Sequence, residues 1–222
     1  FSFFCFSIQA DMKKESQVIF DKNVIEFVTV AAEFCAFLER AESMKRSTFV
    51  DTTLKILPLL YLKASMLPKC EMIGDESPET YVTEEIYEVL RINLASILVE
   101  KDDYLEVFLP DMAYSNEPIK KNISEDLADI YQDIKDFIFV FQLGLNETMN
   151  DSLAICQENF GLLWGQKLVN TMRALHDVKY SPKARGEDEE EEEYEPENNE
   201  DCHCEDDDCH CHDHGCHCHD DE

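Results

Sequence analysis

The chain has 222 residues and a formal net charge of −30, with 49 acidic against 19 basic side chains. This balance argues against nucleic acid and anionic membranes as partners, because both would repel the chain. Cations, transition metal ions or a partner protein with a basic surface are favoured instead. Residues 1–185 have the apolar content of a globular protein, which predicts one folded domain.

The amino terminus opens with an apolar run over residues 1–8 that contains only Phe, Ser, Cys and Ile. The run is shorter than the roughly 20 residues of a membrane span, and it lacks the basic segment that begins a signal peptide. Met12, followed by two lysines, is typical of an ordinary cytosolic start. We interpret residues 1–15 as a disordered or artefactual extension, with a truncated secretory segment as the alternative.

Apolar residues recur at spacings of three and four along the central part of the chain, which predicts five amphipathic helices. Their expected spans are residues 18–43, 48–66, 83–98, 124–144 and 146–176. The predicted N-caps are Ser47, Thr83, Ser124 and Asn146.

Proline and glycine mark the predicted breaks. Pro58 should kink or divide the second helix, and Gly144 should end the fourth. Residues 68–79, and the stretch between Pro110 and Pro118, are predicted loops. We found no hairpin dipeptide between alternating strands. The predicted fold is therefore an all-α, up-and-down bundle over residues 16–182.

The composition changes after Pro182, and residues 183–222 form an acidic tail. Residues 186–222 hold 19 acidic and no basic side chains, and residues 187–193 are all Glu or Asp. A block of like charges repels itself and cannot bury apolar area. This composition predicts a disordered segment.

The tail repeats a Cys-His-Cys triplet three times at a spacing of seven residues and adds three more histidines. The twelve predicted metal ligands are Cys202, His203, Cys204, Cys209, His210, Cys211, His212, His214, Cys216, His217, Cys218 and His219. Thiolate and imidazole are good ligands for Zn²⁺, Cu⁺ and Ni²⁺. At about four donors per ion, the set has a ceiling of about three zinc sites.

The spacing within each triplet favours labile binding. Structural zinc sites usually separate their cysteines by two residues or more, whereas here a single residue intervenes. The repeat could instead wrap a shared Cu⁺–thiolate cluster. The alternative is a solubilising tail that binds metal only incidentally.

The cysteines also indicate a compartment. Cys35, Cys70 and Cys156 show no pattern of framework disulfides. Six closely spaced tail thiols would form scrambled disulfides in a secreted protein, so a cytoplasmic location is favoured.

Two enzyme hypotheses can be tested against the residues of the predicted helical domain, which is called the body below. A carboxylate-bridged di-iron bundle needs two Glu-x-x-His motifs, but the body has one histidine, His176, and residue 173 is Arg. We interpret His176 as a helix-terminus or surface histidine. The predicted helical domain has no cofactor.

Four acidic residues match the Glu-x-x-Glu and Glu-x-x-Asp motifs of magnesium-dependent, all-α nucleotide pyrophosphatases: Glu85, Glu88, Glu100 and Asp103. Carboxylates one helical turn apart could hold Mg²⁺ against phosphates. The gap between the two pairs is short for separate helices, and an acidic chain produces such matches by chance.

The predicted fourth helix carries aspartates at spacings of three and four, beside its apolar face: Asp126, Asp129, Asp133 and Asp136. A charged stripe of this kind usually faces solvent. If it is functional, it is a hard-cation site or a docking surface for a basic partner. Trp164 and Gly165, in the fifth helix, are interpreted as core packing.

Two stretches carry a resemblance to a known family. The run ISEDLADIYQDIKDF over residues 123–137 resembles an uncharacterised bacterial family, domain of unknown function 5063. The runs WGQKL at 164–168 and RALH at 173–176 are similar to that family's last helix. The resemblance covers about residues 16–180 and implies an all-helical cytosolic domain. It implies no reaction and no site residue.

These observations favour a non-enzymatic helical protein whose tail sequesters or delivers a transition metal, or links metal to an interaction. A protein–protein adaptor with a solubilising tail is the alternative. A magnesium-dependent hydrolase is the third hypothesis.

Overall fold

The computed structural model describes residues 18–106 and 119–181. This part is an up-and-down helical bundle, which confirms the predicted class. Its helices are α1 (Lys22–Glu39), α2 (Arg46–Ser65), α3 (Glu84–Leu98), α4 (Ile123–Gln142), α5 (Asn146–Asn159) and α6 (Gly165–Tyr180). A π-helical segment, Phe160–Trp164, joins α5 to α6. These three pieces together are the fifth predicted helix.

A two-stranded antiparallel sheet that was not predicted follows α3. Strand β1 (Asp103–Leu105) pairs with β2 (Lys120–Asn122), and Tyr104 lies opposite Lys121. The sequence did not reveal these strands, because three residues are too short for a readable alternating pattern. The predicted loop between Pro110 and Pro118 lies outside the described residues.

The helix ends agree only partly with the predicted caps. The Thr83 hydroxyl accepts a hydrogen bond from the Ile86 N–H and caps α3, as predicted. Gly144 follows α4 with a φ of 74°, a left-handed conformation that favours glycine. The other three predictions were wrong, since Ser47, Ser124 and Asn146 lie within the first turn of their helices.

Helix α2 continues through Pro58 without dividing. Pro58 lies on the exposed side of the helix. Water can there hydrogen-bond the carbonyl group that the proline leaves without a donor. The sequence could not reveal that this proline points outward.

Aromatic side chains fill the centre of the bundle. The Phe27 ring lies 5.5 Å from that of Phe137 and 6.5 Å from that of Trp164, between centroids. The buried Trp164 indole donates to the Cys156 carbonyl at 3.1 Å. A Cβ atom at Gly165 would lie 2.3 Å from the Phe160 carbonyl oxygen. Trp164 and Gly165 therefore serve core packing, as predicted.

Polar side chains of α5 bind the backbone of the connection between α2 and α3. The buried Asp151 carboxylate accepts hydrogen bonds from the Ile73 N–H at 2.7 Å and the Gly74 N–H at 2.9 Å. The Gln157 amide bonds the backbone of residues 67, 68 and 70. These contacts fix the course of the connection, which later reaches the aspartates of α4.

None of the helices in the described part of the chain combines the length and apolar composition that a membrane span requires.

Candidate functional site

The twelve predicted metal ligands of the tail, Cys202 to Cys218 and the histidines up to His219, lie outside the described residues. Their coordination therefore stays a prediction.

Two of the three cysteine thiols among the described residues are poor metal ligands. Cys35 and Cys156 are buried. Burial raises the pKa of the Cys35 thiol to about 12 and that of Cys156 well above its usual value. Since the thiolate is the form that binds metal and attacks electrophiles, both side chains behave as small apolar groups.

The four acidic residues of the hydrolase hypothesis do not meet in one site. Glu88 pairs with Arg91 at 2.7 Å on its own helix. The Glu100 carboxylate pairs with Arg46 at 2.8 Å, and that of Asp103 pairs with Lys120 at 2.5 Å. Across 18–106 and 119–181, no three Cys, His, Asp or Glu side chains are grouped closely enough to hold a metal ion. The geometry does not support a magnesium site here.

His176 lies exposed near the end of α6, as predicted for a surface histidine. Its ring centroid is 4.6 Å from that of Tyr180, one turn further along the helix.

The aspartates of α4 do not form the predicted solvated face. Asp126 is only 4% exposed and accepts a hydrogen bond of 2.5 Å from the Tyr104 hydroxyl on β1. Asp129 accepts from the Tyr87 hydroxyl on α3 at 2.8 Å and pairs with Lys167 on α6.

The second half of the stripe binds two further elements. Asp133 accepts a hydrogen bond of 2.5 Å from the side-chain amide of Asn159 at the end of α5. Asp136 Oδ1 accepts from the backbone N–H groups of Tyr81 and Val82, both at 2.7 Å. The expectation of a solvated face was wrong because the partners come from distant parts of the chain, which a helical repeat does not reveal.

Burial raises the pKa of Asp126, Asp133 and Asp136 above the ordinary aspartate value. The cause in each case is loss of water around the charged form. Asp133 and Asp136 form no ion pair with a described residue, since Lys167 is directed to Asp129. The Lys167 charge still lowers the pKa of Asp133 from a distance, whereas no cation of the described residues acts on that of Asp136. The two negative charges are therefore incompletely compensated within the bundle.

A cavity of about 370 Å³ opens beside these aspartates, between α4, the end of α5, the π-helical segment and the connection before α3. Its apolar wall includes Phe137, Val140 and Leu163. Its polar lining residues are Glu79, Thr80, Asp129, Gln132, Asp133, Asp136, Ser152, Asn159 and Lys167. Such a volume, largely apolar and with a few converging polar groups, is typical of a small-ligand site.

The sequence interpretation missed Asn159 and Lys167 as members of this site. Neither residue stands out in an amphipathic helix. The π-helical segment between them adds a residue to one turn, which rotates the following helix by about 100°. Segments of this kind occur often at functional sites.

The described region corresponds to a known family. The family model described as domain of unknown function 5063 matches residues 18–181, which agrees with the resemblance seen in the sequence. No curated protein matches the chain at a significant level.

The chain is also similar to a solved structure, the crystal structure of protein BF1032 from Bacteroides fragilis. The two sequences are 92% identical, and the TM-score is 0.69. The match covers 76% of this chain and 99% of the solved chain.

Proposed function

We propose that this chain, which belongs to the family of domain of unknown function 5063, is a non-enzymatic protein whose tail binds transition metal ions. The observation that carries the proposal is the set of twelve Cys and His side chains between residues 202 and 219. Zn²⁺, Cu⁺ and Ni²⁺ are the metals that this donor set suits. With metal bound to its tail, the protein would sequester the ion, deliver it to another site, or use it in a metal-linked interaction.

The properties of the bundle support placing the metal at the tail. The thiols of Cys35 and Cys156 are buried and protonated at neutral pH. The described residues also hold no group of three or more suitable donors. A transition metal ion would therefore find its thiolate ligands among residues 202–219.

We place the protein in the cytoplasm. A reducing compartment keeps six neighbouring tail cysteines as thiols, the form in which they take up metal.

The test is a metal titration of the full chain and of a form that ends at Arg185, both reduced and free of oxygen. The Bacteroides fragilis chain matches only 76% of this one and still folds, which favours the shorter form as a stable control. We expect sub-micromolar binding by the full chain, with about three Zn²⁺ at most. Equally weak binding by both forms would overturn the proposal.

A helical adaptor with an incidental tail is the second candidate, with a basic protein surface as its partner. One observation favours an adaptor. The outer face of α2 exposes three apolar side chains, Leu59, Leu62 and Met66, and apolar surface of this kind is often used in protein contacts. The titration separates the two functions, because an adaptor gains no tight metal site from its tail.

A further inference from the structure

We propose that the cavity beside α4 binds an ammonium or guanidinium group carried on an apolar chain. The source is either a small free amine or a lysine or arginine side chain, which offer the same chemistry. This site is separate from the metal-binding tail, and it stands or falls independently of the proposed function.

The cavity wall carries more negative than positive charge. Lys167 is the cation in the cavity wall, and it is directed to Asp129. The carboxylates of Asp133 and Asp136 have no salt-bridge partner among the described residues and accept only neutral donors, from Asn159 and from backbone N–H groups. A bound cation would supply the compensating charge, and in a partly desolvated site the attraction is stronger than in water.

The carboxylates of Asp133 and Asp136 can each accept more hydrogen bonds than the bundle gives them. The hydrogen bonds that Asp133 and Asp136 accept from Asn159 and the backbone use Oδ1 only. The Oδ2 atom of each carboxylate therefore accepts no hydrogen bond from the described residues. Neither Oδ2 atom is among the fully buried atoms that lack a partner, so both are accessible to solvent. An ammonium group offers three donors and a guanidinium five, so one cationic head group has donors enough for both oxygens of this shared cavity.

The shape and lining of the cavity favour an organic cation over a metal ion. Phe137, Val140 and Leu163 give the wall an apolar surface that suits an alkyl chain. The described residues lack the close group of three donors that a compact metal ion needs. A volume of about 370 Å³ accommodates a head group together with several methylene groups.

The test measures binding of a matched set of probes to the full-length, metal-free protein by calorimetry and by amide chemical shifts. Hexylamine and agmatine carry the cation, while hexanol and hexanoate carry the same kind of chain without it. We expect the two cations to bind, with amide shifts at α4 and at residues 79–82. The neutral and anionic probes should bind at least about 10-fold more weakly.

The double variant Asp133→Asn/Asp136→Asn removes the two charges and keeps the Oδ1 acceptors. We expect it to bind the cations at least about 10-fold more weakly. The control is Glu84→Gln/Glu85→Gln, which makes the same charge change at exposed positions on α3. It should bind like the unaltered protein, and it also corrects for cations attracted to the acidic tail.

A blocked tripeptide with a central arginine distinguishes the two sources of the cation. Tighter binding of the tripeptide than of agmatine assigns the site to a protein side chain, and the reverse assigns it to a free amine. Three results would overturn the proposal. These are unchanged affinity in the aspartate variant, equal binding of hexanol, and no binding of either cation at about 10 mM.

Discussion

The aspartates of α4 and the Cys/His repeat of the tail are both dense runs of ligand-type side chains, yet they differ in their surroundings. Between the aspartates lie Leu127, Ile130 and Ile134, which are buried in the core. Residues 200–222 contain no Ala, Val, Leu, Ile, Met, Phe, Tyr or Trp. The apolar neighbours draw the first set into the bundle, whereas the composition of the tail predicts no such burial for the second.

The fold consequently uses much of the hydrogen-bonding capacity of the aspartates. Asp126 to Asp136 connect α4 with β1, α3, α5, α6 and the connection at residues 81–82. The density of polar side chains in a sequence therefore does not tell how many of them are available to a ligand. Their apolar neighbours are the better guide.

The largest expected effect concerns the tail. Replacing its six cysteines with serine in the full chain should weaken Zn²⁺ binding by at least about 1,000-fold, because serine supplies no thiolate. The Tm of the metal-free protein should stay the same. Competition with a chromophoric chelator and a thermal scan measure the two quantities. A lower Tm of the metal-free cysteine variant would show that the tail cysteines stabilise the bundle, and it would contradict the difference between the two regions.

The next effect concerns Asp102, a buried carboxylate that was not predicted. It accepts hydrogen bonds from the backbone N–H and the hydroxyl of Ser124, both at 2.7 Å, and so caps α4 from the residue that precedes β1. Asp102→Ala leaves these donors unpaired and should lower the free energy of unfolding by about 2–3 kcal/mol.

Asp103→Ala is the matched control in urea unfolding. Asp103 is the neighbouring acid and pairs with Lys120 on the surface. The variant should lose less than about 1 kcal/mol. Equal losses in the two variants would show that burial does not distinguish these carboxylates.

A smaller, pH-dependent effect is expected at Asp133. Its pKa is raised by burial in the folded protein, so ionisation costs stability as the pH rises above the unfolded value of 3.8. Asp133→Asn keeps the acceptor for Asn159 and removes the charge. It should raise the Tm at pH 7 by about 2 °C.

The gain should disappear near pH 3, where both folded and unfolded aspartate are largely protonated. Thermal scans at the two pH values check this, with Glu84→Gln as the exposed control. A gain of the same size at both pH values would rule out the ionisation of Asp133 as its cause.

The smallest effect is expected at Glu85, which is exposed at the start of α3. Glu85→Gln should change the free energy of unfolding by less than about 0.5 kcal/mol and should leave the protein inert towards nucleotides with Mg²⁺. Nucleotide hydrolysis by the unaltered protein that is lost in this variant would restore the hydrolase hypothesis.

The helices were predictable because their apolar positions repeat over many turns. The ends were less predictable, since the N-cap positions expected for Ser124 and Asn146 are occupied by Asn122 and Leu145. The side chain that caps α4 comes from Asp102, elsewhere in the chain. The cavity was largely unpredictable. Of its polar side chains, the sequence singled out three aspartates of α4, and it assigned them to solvent.

The sequence by itself determined the helical class and the family resemblance, and it predicts metal binding by the tail, because these inferences rest on local periodicity and composition. Only the tertiary structure decided which polar side chains already have hydrogen-bond or ion-pair partners within the bundle. Asp129 meets Tyr87 and Lys167, which lie 42 and 38 residues away along the chain. Asp133 and Asp136 meet neutral donors and retain uncompensated charge. That difference arises from the packing of separate helices, which no local pattern encodes.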